Sequence, residues 1–163
     1  MSQSMEQVQV IADQYHQSYQ SVVLATLTTE NEPYTSYAPF VRLKGNYYML
    51  VSKIAKHYVN LLEQPIASII MVEDESAVDN IFFRKRLSYL VDVELDILDA
   101  KVKEEFISRF GNMAKQLFTM NYILVKCTVK SGTLIIGPGQ AYCLDENQLV
   151  ISPMPLPSGQ SSK

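Results

Sequence analysis

The stretch SVVLATLTTENEPYTSYAPFVRLKGNYYMLV, residues 21–51, alternates at a period of two through 22–28, 34–43 and 47–51 and is rich in β-branched and aromatic residues. That pattern predicts three successive strands. The segments between them, 29–33 and 44–46, are too short for a crossover, so neighbouring strands pair antiparallel. Directly after them, SKIAKHYVNLLEQP, residues 52–65, reads as a short helix set into the run of strands. Ile54, Ala55, Tyr58, Leu61 and Leu62 form an apolar stripe at helical period that faces a sheet, with Ser52 placed as N-cap and Pro65 closing the far end. Lys53, Lys56, His57 and Asn60 are left to point away from the stripe. A helix start with free N–H groups, a hydroxyl, two lysines and a histidine can receive a phosphate, and the same residues also suit a solvated basic face.

Working outward, residues 66–72 form a nearly continuous apolar run, the signature of a strand buried on both faces. Residues 86–97 show the cleanest alternation in the chain, and the cluster Arg84, Lys85, Arg86 at its mouth is either a solvated edge or the second half of an anion site. Upstream, Ser4 and Gln7 have capping-box spacing, and Val8, Ile11, Ala12, Tyr15 and Tyr19 predict a helix over 5–19. Downstream, Asp99 caps a helix carrying Val102, Phe106, Ile107 and Phe110 and ended by Gly111, followed by a further turn over 113–117. Strands at 121–129, 133–136, 141–144 and 149–151, with turns at 130–132, 137–139 and 145–147, finish the sheet. Many antiparallel strands with few helices predict a mainly β fold, a closed or nearly closed barrel with peripheral helices. Residues 1–151 make a single domain, and 152–163 a Pro/Ser-rich tail with little to bury.

Composition narrows the function. With 163 residues, 47% of them hydrophobic and 19% charged, the chain can bury one sizeable core. A net charge of −3 and a pI near 5.4 argue against broad nucleic-acid binding, so any anion site is local. Cys127 and Cys143 lack metal-ligand or CxxC spacing and read as buried thiols of a reducing cytoplasm. No apolar run reaches the ~18 residues of a membrane span, and the first residues lack a signal-peptide pattern. There is no GxSxG, P-loop, HExxH or helix-opening GxGxxG, and no metal site is expected. What remains is a set of cations and hydroxyls, namely Thr35, Ser36, Lys56, His57, Arg84 and Arg86, with Tyr34, Tyr37 and Phe40 offering surface for a ring. Together they suit a phosphorylated planar ligand.

The runs Val23-Leu24-Ala25-Thr26-Leu27 and Pro33-Tyr34-Thr35-Ser36-Tyr37-Ala38-Pro39-Phe40, Ser52 to Ala55 with His57, Asn60-Leu61, Pro65 to Ser68, Arg86-Leu87-Ser88, Arg109-Phe110, and Gly137 to Leu144 stand in an order and spacing that resembles the pyridoxamine-phosphate-oxidase-like FMN-binding split barrels. Within that family the chain is most similar to the haem-iron-utilisation branch, over residues 21–144. The resemblance implies a six-stranded antiparallel split barrel, a homodimer, and two cofactor sites in the clefts between subunits. In FMN-binding relatives the positions matching Lys56 and His57, helped by those matching Ser36 and Ser52, hold the phosphate, and the ring edge lies near the position matching Arg86. The leading expectation is therefore a dimeric FMN-binding flavoprotein, an oxidoreductase, with Thr35, Ser36, Ser52, Lys56, His57, Arg84 and Arg86 around the cofactor. The branch-level likeness implies haem binding or haem degradation as the alternative. Haem-degrading members use an axial histidine in a loop near the C-terminus and an acidic residue on a late strand. Here residues 152–163 hold no histidine and Asn121 stands at the acidic position. A third reading is a cofactor-free barrel that binds a partner.

Overall fold

The computed structural model describes residues 3–155, and the barrel is built as the alternation predicts. After α1 (Met5–Tyr15) come β1 (Ser21–Leu27), β2 (Pro33–Leu43), β3 (Asn46–Ser52), α2 (Lys56–Glu63), β4 (Ile66–Val72) and β5 (Arg86–Glu94). Then follow α3 (Ala100–Phe110), α4 (Asn112–Leu117), β6 (Tyr122–Gly137), β7 (Gln140–Leu144) and β8 (Val150–Pro153). The strands lie in the order β3-β2-β1-β4-β5-β6-β7-β8, every neighbouring pair antiparallel, and β3 also pairs with β6. That last pairing closes β1 to β6 into a six-stranded barrel with peripheral helices. β7 and β8 continue the sheet beyond the closure.

Two expected strands, 121–129 and 133–136, are a single one. β6 runs for 16 residues, giving its first half to β3 and its second half to β7 while β5 follows it along both. The segment 130–132, expected as a turn, is instead a register shift opposite Leu90 and Val91. Gly132 has a physical reason to be there: a Cβ at this position would stand 2.6 Å from the ring of buried Tyr89 on β5.

Inside the barrel, Leu24, Phe40, Tyr47, Met49, Ile69, Leu87, Tyr89 and Leu134 are buried, and α1 lays Val8, Ala12 and Tyr15 over one end. Ser4 caps α1 through the predicted capping box, although the α-helix stops at Tyr15 and a single 3-10 turn, His16–Ser18, replaces its expected last turn. Cys127 lies in this core, where burial pushes its thiol up to about 12, whereas Cys143 is half-buried on β7. A second, smaller core forms on the outside of the barrel. Val41 of β2, Tyr48 and Leu50 of β3 and Leu124 of β6 pack there against Val102, Phe106 and Ala114 of α3 and α4. This explains why five consecutive residues of β3 are buried: both faces of the strand are covered. β4 was expected to share that property and does not. Its outward residues, Ser68 and Ile70 among them, are exposed or half-buried. The tail expected at 152–163 lies mostly outside the described residues, and its first two positions belong to β8.

Candidate functional site

α2 plugs one mouth of the barrel, and the manner of its seating decides which predicted site residues meet. The helix begins at Lys56 rather than at Ser52, with Ala55 as N-cap, so Ile54 falls in the preceding turn and is 87% exposed. The Ser52 hydroxyl instead accepts a long hydrogen bond, 3.4 Å, from the Ile54 N–H. From that start His57, Asn60 and Leu61 share one face at i, i+3 and i+4, and this face turns inward. Leu61 is fully buried, and Asn60, expected to point to solvent, is 3% exposed and donates to the Thr26 hydroxyl at 2.9 Å. Beside it His57 Nδ1 lies 2.8 Å from the Ser36 hydroxyl. Two polar residues can therefore sit on the buried face because inward-facing hydroxyls of β1 and β2 receive them. Burial holds the His57 imidazole below its usual pKa, so it is neutral at pH 7, and its Nε2 is buried without a hydrogen-bond partner.

The remaining predicted residues do not converge on that pair within one chain. Thr35 neighbours Ser36 in sequence, but successive strand residues face opposite ways, and Thr35 is exposed on the outside of the barrel. Lys56 is exposed, its Nζ 4.8 Å from the centre of the Tyr34 ring. Arg84 donates from Nε to the Glu73 carbonyl at 2.7 Å and pairs with Glu75 at 3.0 Å. Arg86 donates to the Arg84 carbonyl from the outward face of β5. Ser36, Leu24, Ile69 and Tyr89 form one register row, and Arg86 lies three residues beyond its end. Strand spacing and rise set it roughly 17 Å from Ser36, on the opposite face of the sheet.

A separate hollow lies away from the predicted cations Lys56, Arg84 and Arg86. A cavity of about 620 Å³ opens between the end of β3, the loop joining β5 to α3, and the connection from α4 into β6. Ile97, Leu98, Phe118, Met120, Tyr122 and Leu124 give it apolar and aromatic walls; Lys53, Asp96, Asp99, Lys103 and Asn121 give it a charged and polar rim. Lys53 pairs with Asp96 at 3.5 Å, both half-exposed, and Lys103 lies 5.2 Å from the centre of the Phe118 ring. These residues come from three distant parts of the chain. The available sequence signals are the apolar pair Ile97 and Leu98 set between Asp96 and Asp99, and the apolar pair Phe118 and Met120 ahead of a strand. Among the described residues no group of three His, Cys, Asp or Glu side chains could hold a metal ion, and no helix is long and apolar enough to cross a membrane.

Comparison with known proteins now adds to the geometry. Residues 10–124 match the family model described as pyridoxamine 5′-phosphate oxidase. The chain is 32% identical over 142 residues to the protein named heme oxygenase HutZ of Vibrio cholerae, covering 84% of this chain and 81% of that one. Among solved structures, HutZ of Vibrio cholerae, titled there a haem storage protein, superposes with a TM-score of 0.68 at 31% identity, over 72% of this chain and 87% of that one. Campylobacter jejuni ChuZ gives 0.84 at 29% identity, over 99% of this chain and 68% of that one. A Clostridium acetobutylicum protein of the pyridoxinephosphate oxidase family, related to a general stress protein, shares the fold at 13% identity, with a TM-score of 0.66 over 86% of this chain and 95% of that one. The expected resemblance to the haem-utilisation branch therefore holds. The leading expectation of an FMN-binding flavoprotein is overturned, because the strong likeness is to HutZ and ChuZ while the oxidase-type relative agrees in fold alone. The geometry gives a reason in the same direction. A half-buried, neutral His57 already engaged by Ser36 is a poor partner for a phosphate dianion, and Arg84 and Arg86 are directed elsewhere.

Proposed function

The chain belongs to the pyridoxamine 5′-phosphate oxidase family, and from that premise we propose that it is a haem-utilisation protein that binds haem in the cavity beside β3 and α3. The observation that carries this reading is the match between the cavity and the ligand. Haem is a flat apolar macrocycle with two propionate carboxylates at one edge, and the cavity offers Phe118, Tyr122, Ile97 and Leu124 as walls with Lys53 and Lys103 at the rim. Its volume of about 620 Å³ lies within the range of small-molecule and cofactor sites. Lys53 exchanges the Asp96 carboxylate for a propionate at little cost, since an exposed ion pair is worth ~1 kcal/mol or less. Asn121, which the resemblance matches to the acidic position of haem-degrading relatives, lines the same space. No histidine lines it among the described residues, so apolar contact and charge pairing carry the binding.

A second copy of the chain completes the reading. Across the outer faces of β2, β1, β4 and β5 the rows Tyr37, Val23, Ile70, Ser88 and Thr35, Ala25, Ser68, Leu90 contain no charged residue. Tyr37 is 68% exposed there. A broad sheet face so poor in charge suits burial against its own copy, and it supplies the cover that β4 lacks within one chain.

Haemin titration tests the proposal. A saturable shift of the Soret band at one haem per chain is expected, and the double variant Lys53→Glu, Lys103→Glu weakens it at least tenfold. FMN at the same concentration leaves its own spectrum unchanged. A haemin spectrum that stays that of free haemin in the wild-type protein refutes haem binding. Reductant and oxygen added to the complex then separate a protein that opens the ring, with biliverdin appearing, from one that only holds it.

A further inference from the structure

β3 has the haem-type cavity at its Ser52 end and a second, smaller hollow at its Asn46 end. The second opens over about 330 Å³ between the β2–β3 turn, residues Thr128 and Val129 of β6, and the turn before β8, with Arg42, Lys44, Asn46, Asn147 and Gln148 in its walls and Glu146 as its one carboxylate. Arg42 is held in one place there. It donates from Nη2 to Gln148 Oε1 at 2.8 Å and lies 5.9 Å from the centre of the Tyr47 ring. Gln148, 8% exposed, is itself tied to the Gly45 carbonyl at 2.6 Å and receives Gln9 of α1 on its own carbonyl. A guanidinium fixed in this way presents its donors without further ordering cost. Its Nε is buried and lacks a hydrogen-bond partner.

Among the described residues no carboxylate pairs with this positive charge, Glu146 in the wall of the hollow included. None of the ion pairs among the described residues includes Arg42, Lys44 or Arg109. His16, at the end of α1, feels both arginines: burial first, then Arg42 and Arg109, push its pKa down to about 4 against the weaker opposite pull of Asp13. His16 is outside the hollow, yet it feels the charge of Arg42 and so reports on an anion bound there.

We infer that the hollow beside Arg42 and Lys44 binds a small oxyanion of the phosphate class, with Arg42 and Lys44 supplying charge and the amides of Asn46 and Asn147 supplying further donors. The volume stands at the lower end for small-molecule pockets and is short of a nucleotide. The site is separate from the haem cavity, sharing no residue with it.

Histidine NMR on the whole protein, which has two histidines, tests this with inorganic phosphate as the probe and sodium chloride at matched ionic strength as the control. Phosphate is expected to shift the His16 resonances saturably and to raise the His16 pKa by about one unit, as a nearby opposite charge does. Lys44→Gln, at an exposed turn, and Arg42→Gln each weaken that response at least tenfold. Lys44→Gln leaves haem titration unaltered. A response equal to that of chloride, or one undiminished in folded Lys44→Gln protein, overturns the inference. Should Arg42→Gln fail to fold because the Gln148 tie is lost, the Lys44 variant alone decides.

Discussion

The barrel interior and the annex of α3 and α4 use the same kinds of side chain and reach different states of order. In the barrel, Leu24, Phe40, Ile69, Leu87 and Leu134 have no exposed surface, and each strand of the closed ring is hydrogen-bonded on both sides. The annex buries Val102, Phe106 and Ala114 on an 11-residue and a 6-residue helix, neither long enough to be stable alone, and the cavity opens at its edge. The proposed ligand site therefore lies where close packing stops. A barrel supported from all sides supplies a fixed wall, β3 and β6, while the helices on the other side can yield by a small amount to admit a flat molecule.

Phe106→Ala strains this contrast most. Phe106 is 1% exposed and its ring meets Phe110 at 5.8 Å and Phe118 at 6.2 Å. Removing it costs about 3–5 kcal/mol by the usual behaviour of buried phenylalanines. If barrel and annex are distinct in stability, hydrogen exchange in α3 and α4 accelerates while β1, β4 and β5 keep their protection, and haem binding is lost with the Phe118 wall. Equal acceleration in the barrel strands would show that the two regions melt as one unit.

Gly132→Ala addresses the other side. The added methyl group meets Cδ1 and Cε1 of Tyr89 at 2.6 Å and the Ser88 carbonyl at 3.1 Å. Tyr89 is 2% exposed and packed on Tyr47 at 5.6 Å, so it has little room to retreat. Overpacking of this kind costs about 1–3 kcal/mol. The loss is expected to be global: a lower urea midpoint with unchanged slope, and haem affinity preserved in the folded fraction. An unchanged midpoint would mean that the Tyr89 ring turns aside freely and that the barrel is less tightly filled than its burial indicates.

The two regions also differ in how far the amino-acid sequence reveals them. Alternation at period two, short turns and the capped α1 and α3 were readable, because each depends on residues close together in the chain. The sequence pattern divides β6 at Lys130–Gly132 because a glycine that makes room for a tyrosine ring across the ladder looks the same in sequence as a glycine in a turn. The inward face of α2 is hidden in the sequence because apolarity alone ranks Ile54 and Leu62 above His57 and Asn60. The hydroxyls that make burial of those polar groups tolerable, Ser36 and Thr26, lie on other strands. Adjacent Thr35 and Ser36 share a hydroxyl chemistry, but a strand sends them to opposite faces. The cavity is the least legible feature, since Lys53, Leu98 and Phe118 are far apart in sequence and belong to no motif.

The finest test concerns the entrance to α3. The Asp99 carboxylate accepts hydrogen bonds from the Lys101 and Val102 N–H groups, at 2.9 and 3.2 Å, at the rim of the cavity. Asp99→Ala leaves those two donors to water and costs about 1 kcal/mol, whereas Asp99→Asn retains most of the cap. Because the lost bonds belong to the annex, the expected effect is faster exchange over the first turn of α3 and weaker haem binding, with the urea transition of the barrel moved little. Should Asp99→Asn behave like Asp99→Ala, the carboxylate matters through its charge beside Lys53 and Lys103 rather than as a cap. The balance between apolar walls and charged rim would then set the affinity of the site more strongly than the order of the helix does.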